Sequence, residues 1–515
     1  FEYPYVSGYE SLAGAPTKDH YIAPHLGGHD IADPAKVRRN APEAFSRQGY
    51  PGTQGMQFHA LHNDEGGLVM VAADTECHPK LFGLHHDQDR DCIAWSLRHY
   101  FNETPGFSFE QDYEVRIQGC GPTWYDAADV YARWGRKQWW MTKKVRRPEW
   151  LDAPPLIAHV HDNQNYTRML PSWYTERQPE INELLSGREL INDLGHWERY
   201  GMWISPDSCP PFCGEQEMII AGETIRAGGH HLKHLFSCGK YWLHPDITDD
   251  KFESVIMEVA ALPRGPVNRR SLLTQFPHVG KNVDTCPSSE LYAEKLANLT
   301  EKLLDYGHDF FSMDIWPLGQ PQPCHNPRHD HPPGLGKWYI DANVALIQRL
   351  QSLVFSREPN AIFGGESMAE PYLPYMHVML MRSVEAPLLR NKNGQPVGVR
   401  IPMFDYLYGD QVQEWNGRAM TQLPQAPSEM GLQLARGNLL HVTDKWHHRY
   451  FDTKAMNMSK EHQPGEPVPT PILRVRLGGP EVRRQNLLFA AKANDVQRGK
   501  FTPYFTRGRL GRFPK

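Results

Sequence analysis

No run of apolar residues in this chain approaches the ~20 that a membrane-spanning helix needs, and no stretch reads as a secretory leader. The chain opens at Phe1 in strand-like sequence, which reads as a processed product or a piece of a longer protein. Positive charge is not in excess: 55 Lys and Arg stand against 60 Asp and Glu, a net charge of −5. That balance argues against nucleic acid or an anionic membrane surface as partner. The eight cysteines are scattered, and only Cys209 and Cys213, in CPPFC, lie close together. No second pair follows at zinc spacing, so these read as free or locally bridged thiols. Cysteine usage therefore leaves the compartment open between secreted, periplasmic and cytoplasmic. No internal repeat or low-complexity tract is evident.

What is present is length and aromatic surface. A chain of 515 residues can bury a large core and hold more than one domain, and 14 tryptophans supply platforms of the kind on which sugars stack. Residues 1–120 carry period-2 segments such as MQFHALHN, GGLVMVAADTE and FEQDYEVRIQG. They predict an antiparallel β-sandwich, here as the later portion of such a domain. GCGPTWYDAADVYARWGRKQWW (119–140) turns helical, and residues 121–153 read as a helical linker.

From 154 onward the pattern alternates strand and helix. PPLIAHVHDNQ (154–164) predicts a first parallel strand, followed by a helix over 178–200. GMWISPDS (201–208) and LKHLFSCGKYW (232–242) predict the second and third strands, and VRIPMFDYLYGD (399–410) the sixth. The order is that of a (β/α)8 TIM barrel over 154–515, an α/β fold whose strands seven and eight the sequence does not mark. The helix ELYAEKLANLTEKLLDYG (290–307) leads into HDFFSMDIWPLG, a fourth strand ending at Asp314. The helix DANVALIQRLQSLVFSREPN (341–360) leads into AIFGGESMAEP, a fifth ending at Glu366. Two consecutive strands thus each present a carboxylate at the same edge, where barrel enzymes do their chemistry. Paired carboxylates are what glycosidic cleavage needs: one attacks the anomeric carbon or activates water, and the other protonates the leaving oxygen.

TWYDAADVYARWGRKQWW, FFSMDIW, CHNPRHDHPPGLGKW and GGESMAEPY together resemble a group of TIM-barrel glycoside hydrolase-like proteins known only as a domain of unknown function. That group is distantly related to the α-galactosidase and endo-α-N-acetylgalactosaminidase barrels. The resemblance implies a retaining glycosidase with Asp314 as nucleophile and Glu366 as acid/base, acting on an oligosaccharide, polysaccharide or glycoconjugate. It implies a carbohydrate partner, admits a homo-oligomer, and requires no cofactor and no metal. The retaining assignment sets the expected separation of the two carboxyl groups at about 5 to 6 Å.

The residues expected to contact sugar are His159, His161, Asp162, Trp203, Asp207, Lys240, Trp316, Arg328, His331, Trp338, Asp405 and Tyr406. Polar groups among them would bind hydroxyls, Arg328 would hold an anionic substituent, and Trp338 would stack. Two other readings compete. His159 and His161 are spaced like the metal pair of amidohydrolase barrels, and His329 with His331 could ligate together. Alternatively the barrel binds carbohydrate without cleaving it.

Overall fold

The computed structural model describes residues 2–497 except 11–17, 41–48, 88–91, 105, 107–109, 153–155, 161–171, 195–196, 200–204, 212, 245, 277–279, 315, 317–320, 367–368, 381–396, 416–418, 421–425, 436–438 and 444–479. The residues up to 120 form two antiparallel sheets, as their period-2 alternation predicts. One has four strands, in the order Glu2–Glu10, Cys92–His99, Lys80–Asp87, Gly49–Tyr50. The other has six: Val399–Arg400, His29–Ala32, His20–Ala23, Phe58–Asn63, Gly66–Ala73, Glu114–Cys120. The buried His59 of the second sheet meets Phe82 and Trp95 of the first, with ring centroids 5.1 and 4.9 Å apart. Burial holds this imidazole neutral by lowering its pKa to about 3.

A sheet of parallel strands follows, in the order Gln413–Trp415, Val378–Leu380, Ile362–Gly365, Phe310–Asp314, His231–Ser237, Leu190–Asp193, Leu156–Val160, His441–Thr443, Ala419–Met420. Helices Glu215–Ala227, Glu290–Asp305 and Trp338–Arg357 connect and cover its central strands. The two faces of the sheet separate cleanly by residue parity. Phe311, Met313 and Phe363 pack with helix residues Leu296, Leu299, Leu350 and Val354. Phe310 and Ile362 turn the other way and join Ile191, Val378 and Leu439. This near-continuous apolar run is what a strand buried on both faces requires.

The first, fourth and fifth predicted strands stand where the sequence places them, and the third does so only to Ser237, since Lys240–Trp242 leaves for a separate antiparallel sheet. Residues 201–204 of the second lie outside the described residues, and the place beside the first strand is taken by Leu190–Asp193. The helix that starts the unit, Ser172–Leu184, stops at Ser186 and Gly187, which both adopt positive φ, 57° and 68°. Gly187 is the residue that tolerates this stop, and it frees Leu190–Asp193 to become the strand. The sixth predicted strand is also displaced. Val399–Arg400 adds to the edge of the six-stranded antiparallel sheet, beside His29–Ala32, and Met403–Tyr408 is helical. The sixth parallel strand is Val378–Leu380.

One buried carboxylate fastens these elements together. Glu370 is fully buried and accepts hydrogen bonds from the hydroxyls of Tyr50 in the four-stranded sheet (3.1 Å), Tyr131 in helix Trp124–Gly135 and Tyr408 (2.5 Å). Burial pushes its pKa up to about 7, although the three hydroxyls favour the ionised form.

Candidate active site

Asp314 is the last residue of its strand, and Glu366 follows directly on the next. The register between those strands pairs Phe310 with Ile362 and Met313 with Gly365, so Asp314 and Glu366 stand one step beyond the last pair, side by side. Parity turns both to the face that carries Phe310 and Ile362, away from the helices. Both are buried, 4% and 2% exposed, which separates them from ordinary loop acids in water. The Glu366 amide donates to the Trp316 carbonyl at 2.9 Å, tying the two strand ends.

Beneath them lies an ion pair. Lys233, fully buried in the His231–Ser237 strand, donates from Nζ to Asp193 Oδ2 at 2.7 Å. Burial draws both groups toward their neutral forms, the Lys233 pKa down and the Asp193 pKa up. Asp193 opposes this shift at Lys233, and the charges of Asp314 and Glu366 act on the ammonium in the same sense. Four adjacent strands therefore contribute Asp193, Lys233, Asp314 and Glu366 to one electrostatic cluster, with the single cation central to three acids.

Asp193 and Lys233 were not among the predicted site residues. Two signals were available: Leu190–Asp193 ends in an acid as the Asp314 strand does, and Lys233 is a cation set between Leu232 and the apolar pair Leu235–Phe236 in a predicted buried strand. A buried lysine seldom stands there without a partner.

The predicted contact residues scatter. The side chain of His159 and all of His161, Asp162 and Trp203 lie outside the described residues. Asp207 belongs to no parallel strand; it accepts from His244 Nε2 (2.9 Å), Lys295 Nζ (2.8 Å) and the Tyr241 hydroxyl. Burial pushes its pKa up, but these donors prevail and keep it well below the usual carboxylate range. Lys240 pairs with Asp284 across a small antiparallel sheet formed by Lys240–Trp242, Gly280–Asp284 and Thr274–Phe276. Trp316 is a core residue, its Nε1 donating to Asn343 Oδ1 at 2.7 Å and its ring 4.3 Å from that of Tyr372.

Arg328 faces Glu253 and Glu258, so the anion it holds is the protein's own. His331 and Trp338 stack on each other, 3.6 Å apart and 8° from parallel. Asp405 and Tyr406 fall in the helix Met403–Tyr408, where the Tyr406 hydroxyl donates to Asp129 at 2.7 Å. Because that segment is helical rather than the sixth strand, neither stands at a parallel-strand end. Cys209 and Cys213 are free thiols.

Comparison with known proteins adds three findings. Residues 109–418 match the profile of a family described as a domain of unknown function, DUF6259. No curated protein matches the chain. Among solved structures, an α-N-acetylgalactosaminidase of Bifidobacterium bifidum superposes with a TM-score of 0.64 at 12% identity, over 94% of this chain and 76% of that one. An α-galactosidase of Thermus thermophilus superposes with a TM-score of 0.53 at 14% identity, over 94% and 92% of the respective chains. The likeness is one of fold, shared with glycoside hydrolases.

Proposed function

The chain belongs to the family known only as the domain of unknown function DUF6259, and from that premise we propose that it is a retaining glycoside hydrolase. The observation that carries the reading is the pairing of Asp314 and Glu366 on neighbouring central strands. Neighbouring strands are about 4.8 Å apart, which favours the ~5–5.5 Å carboxyl spacing of double displacement over the ~6.5–9.5 Å that admits a water.

On this reading Asp314 attacks the anomeric carbon while Glu366 protonates the leaving oxygen; Glu366 then deprotonates the water that releases the sugar. Lys233 is the positive partner that faces the two acids from the adjacent strand, and the site uses no metal. The parallel strands form a closed (β/α)8 barrel. In support, Gln413–Trp415 and Ala419–Met420, the two ends of the strand order, are neighbours in the chain with only residues 416–418 between them, so the two edges of the sheet lie within reach of one another. The two antiparallel sheets, built from the residues up to 120 with Val399–Arg400 added at one edge, form a β-sandwich packed on that barrel. The substrate is a carbohydrate; the names of the similar structures make α-galactosides and α-N-acetylgalactosaminides the first to try.

The test begins with aryl glycosides of both kinds and proceeds to two variants. Asp314→Asn abolishes turnover of every substrate. Glu366→Gln accumulates glycosyl-enzyme from substrates with good leaving groups, and azide restores turnover with retained configuration. A fully active Glu366→Gln enzyme on natural substrate, or an inverted azide product, removes the assignment.

A further inference from the structure

The loop that follows the Asp314 strand folds back onto the segment joining Gly280–Asp284 to the helix Glu290–Asp305, and there four potential metal ligands converge. Cys286, Cys324, His329 and His331 each offer one ligand atom, all within 4.8 Å of one another. Three of the residues are buried and His331 is partly so. Cys286 Sγ lies 3.4 Å from His331 Nε2, and Cys324 Sγ lies 3.5 Å from His329 Nδ1. Tetrahedral zinc with Zn–S of about 2.3 Å and Zn–N of about 2.0–2.1 Å places S and N ligands roughly 3.6 Å apart. The observed separations need only a small adjustment to reach that figure.

The second ring nitrogens make the stronger argument. His329 Nε2 donates to the Glu258 carbonyl at 2.6 Å, and His331 Nδ1 donates to the Pro332 carbonyl at 2.8 Å. Each donation fixes the tautomer, leaving Nδ1 of His329 and Nε2 of His331 with lone pairs toward the sulfurs. A backbone carbonyl on the far nitrogen is the support that metal-bound histidines regularly have. The Asn326 amide points at Cys324 Sγ, 3.4 Å away, a donor suited to a thiolate. Its side chain anchors the turn to the Met257 and Ala260 carbonyls.

We propose that Cys286, Cys324, His329 and His331 form a tetrahedral structural zinc site that pins the loop after the Asp314 strand to the start of helix Glu290–Asp305. Two thiolates and two neutral imidazoles make the loaded site uncharged overall, which suits its burial. The set is soft, mixed sulfur and nitrogen, and its four ligands leave no position for a substrate. Binding displaces the thiol protons into solvent.

The full chain, produced in zinc-supplemented medium and desalted, is analysed for metal. About one zinc per chain is expected, falling below a tenth of that in Cys286→Ser and Cys324→Ser. His331→Gln should weaken zinc retention against a chromophoric chelator by at least about a hundredfold, since losing only a supporting partner already costs 10–100-fold. Should the cysteine variants fail to fold, cobalt exchanged into the unaltered chain decides: thiolate-to-cobalt charge transfer with intense tetrahedral visible bands supports the site. Zinc at background in the unaltered chain, undiminished zinc in folded variants, a weak octahedral cobalt spectrum, or a Cys286–Cys324 disulfide in protein purified without reductant overturns it.

Discussion

Replacing Glu370 with glutamine should change how stability depends on pH. The carboxyl group is fully buried under three tyrosine hydroxyls, and its pKa rises from an ordinary 4.5 to about 7. A raised pKa means that the folded state holds the proton more tightly than the unfolded chain. Between about pH 4.5 and 7 the native state therefore binds more protons, and stability falls as pH rises. At about 1.36 kcal/mol per pH unit, the interval corresponds to roughly 3 kcal/mol, fully present below pH 4.5 and lost by pH 7. Glutamine copies the protonated acid in shape: its oxygen still accepts from Tyr131 and Tyr408, and its amide can donate to the Tyr50 oxygen. The buried histidines titrate in both proteins and cancel in a difference.

The assay is urea unfolding of both proteins at pH 5, 6, 7 and 8. The Glu370→Gln protein should gain on the parent by most of that roughly 3 kcal/mol between pH 5 and 7, and no further above pH 8. Parallel stability profiles across this range would show that Glu370 is ionised throughout, and the reasoning from burial would be wrong.

Two further outcomes test the packing. A Cβ on Gly222, in helix Glu215–Ala227, would stand 1.9 Å from the Tyr306 carbonyl oxygen, so Gly222→Ala must push the helix away from the Tyr306 backbone. A loss of more than about 2 kcal/mol is expected by chemical denaturation, and a neutral result would mean that the helix has room to move. Lys233→Ala leaves Asp193 buried without its cation and should cost about 3–5 kcal/mol. Lys233→Met combined with Asp193→Asn should recover some of that, and a double variant no more stable than the single would break the inference that the two act as a pair.

Legibility in the sequence followed the length and purity of each pattern. Helix Glu290–Asp305 and the strand Phe310–Asp314 carry strong, unmixed periodicities, and the structure has both where the sequence puts them, Asp314 included. Leu190–Asp193 has four residues, too few to announce a period, and the helical pattern over 178–200 runs past the stop at Ser186–Gly187 that releases it. Val399–Arg400 fails differently. Its alternation is genuinely strand-like, but local pattern cannot say which sheet a strand will join. The metal ligands show the same limit: His329 and His331 are neighbours in sequence, whereas Cys286 meets them only through the fold.

The pairing of Val399–Arg400 with His29–Ala32 also bears on the order of events during synthesis. Translation proceeds at about 5–20 residues per second, so roughly 15–60 s separate the emergence of residue 120 from that of residue 400. Throughout that interval the strand His29–Ala32 waits on the nascent chain with one edge uncovered, and Glu370 and Tyr408 have yet to reach Tyr50 and Tyr131. The amino-terminal sheets therefore cannot be finished on the ribosome as an independent first unit. They are closed by the last third of the chain, and until then the edge that Val399–Arg400 covers is open to other pairings.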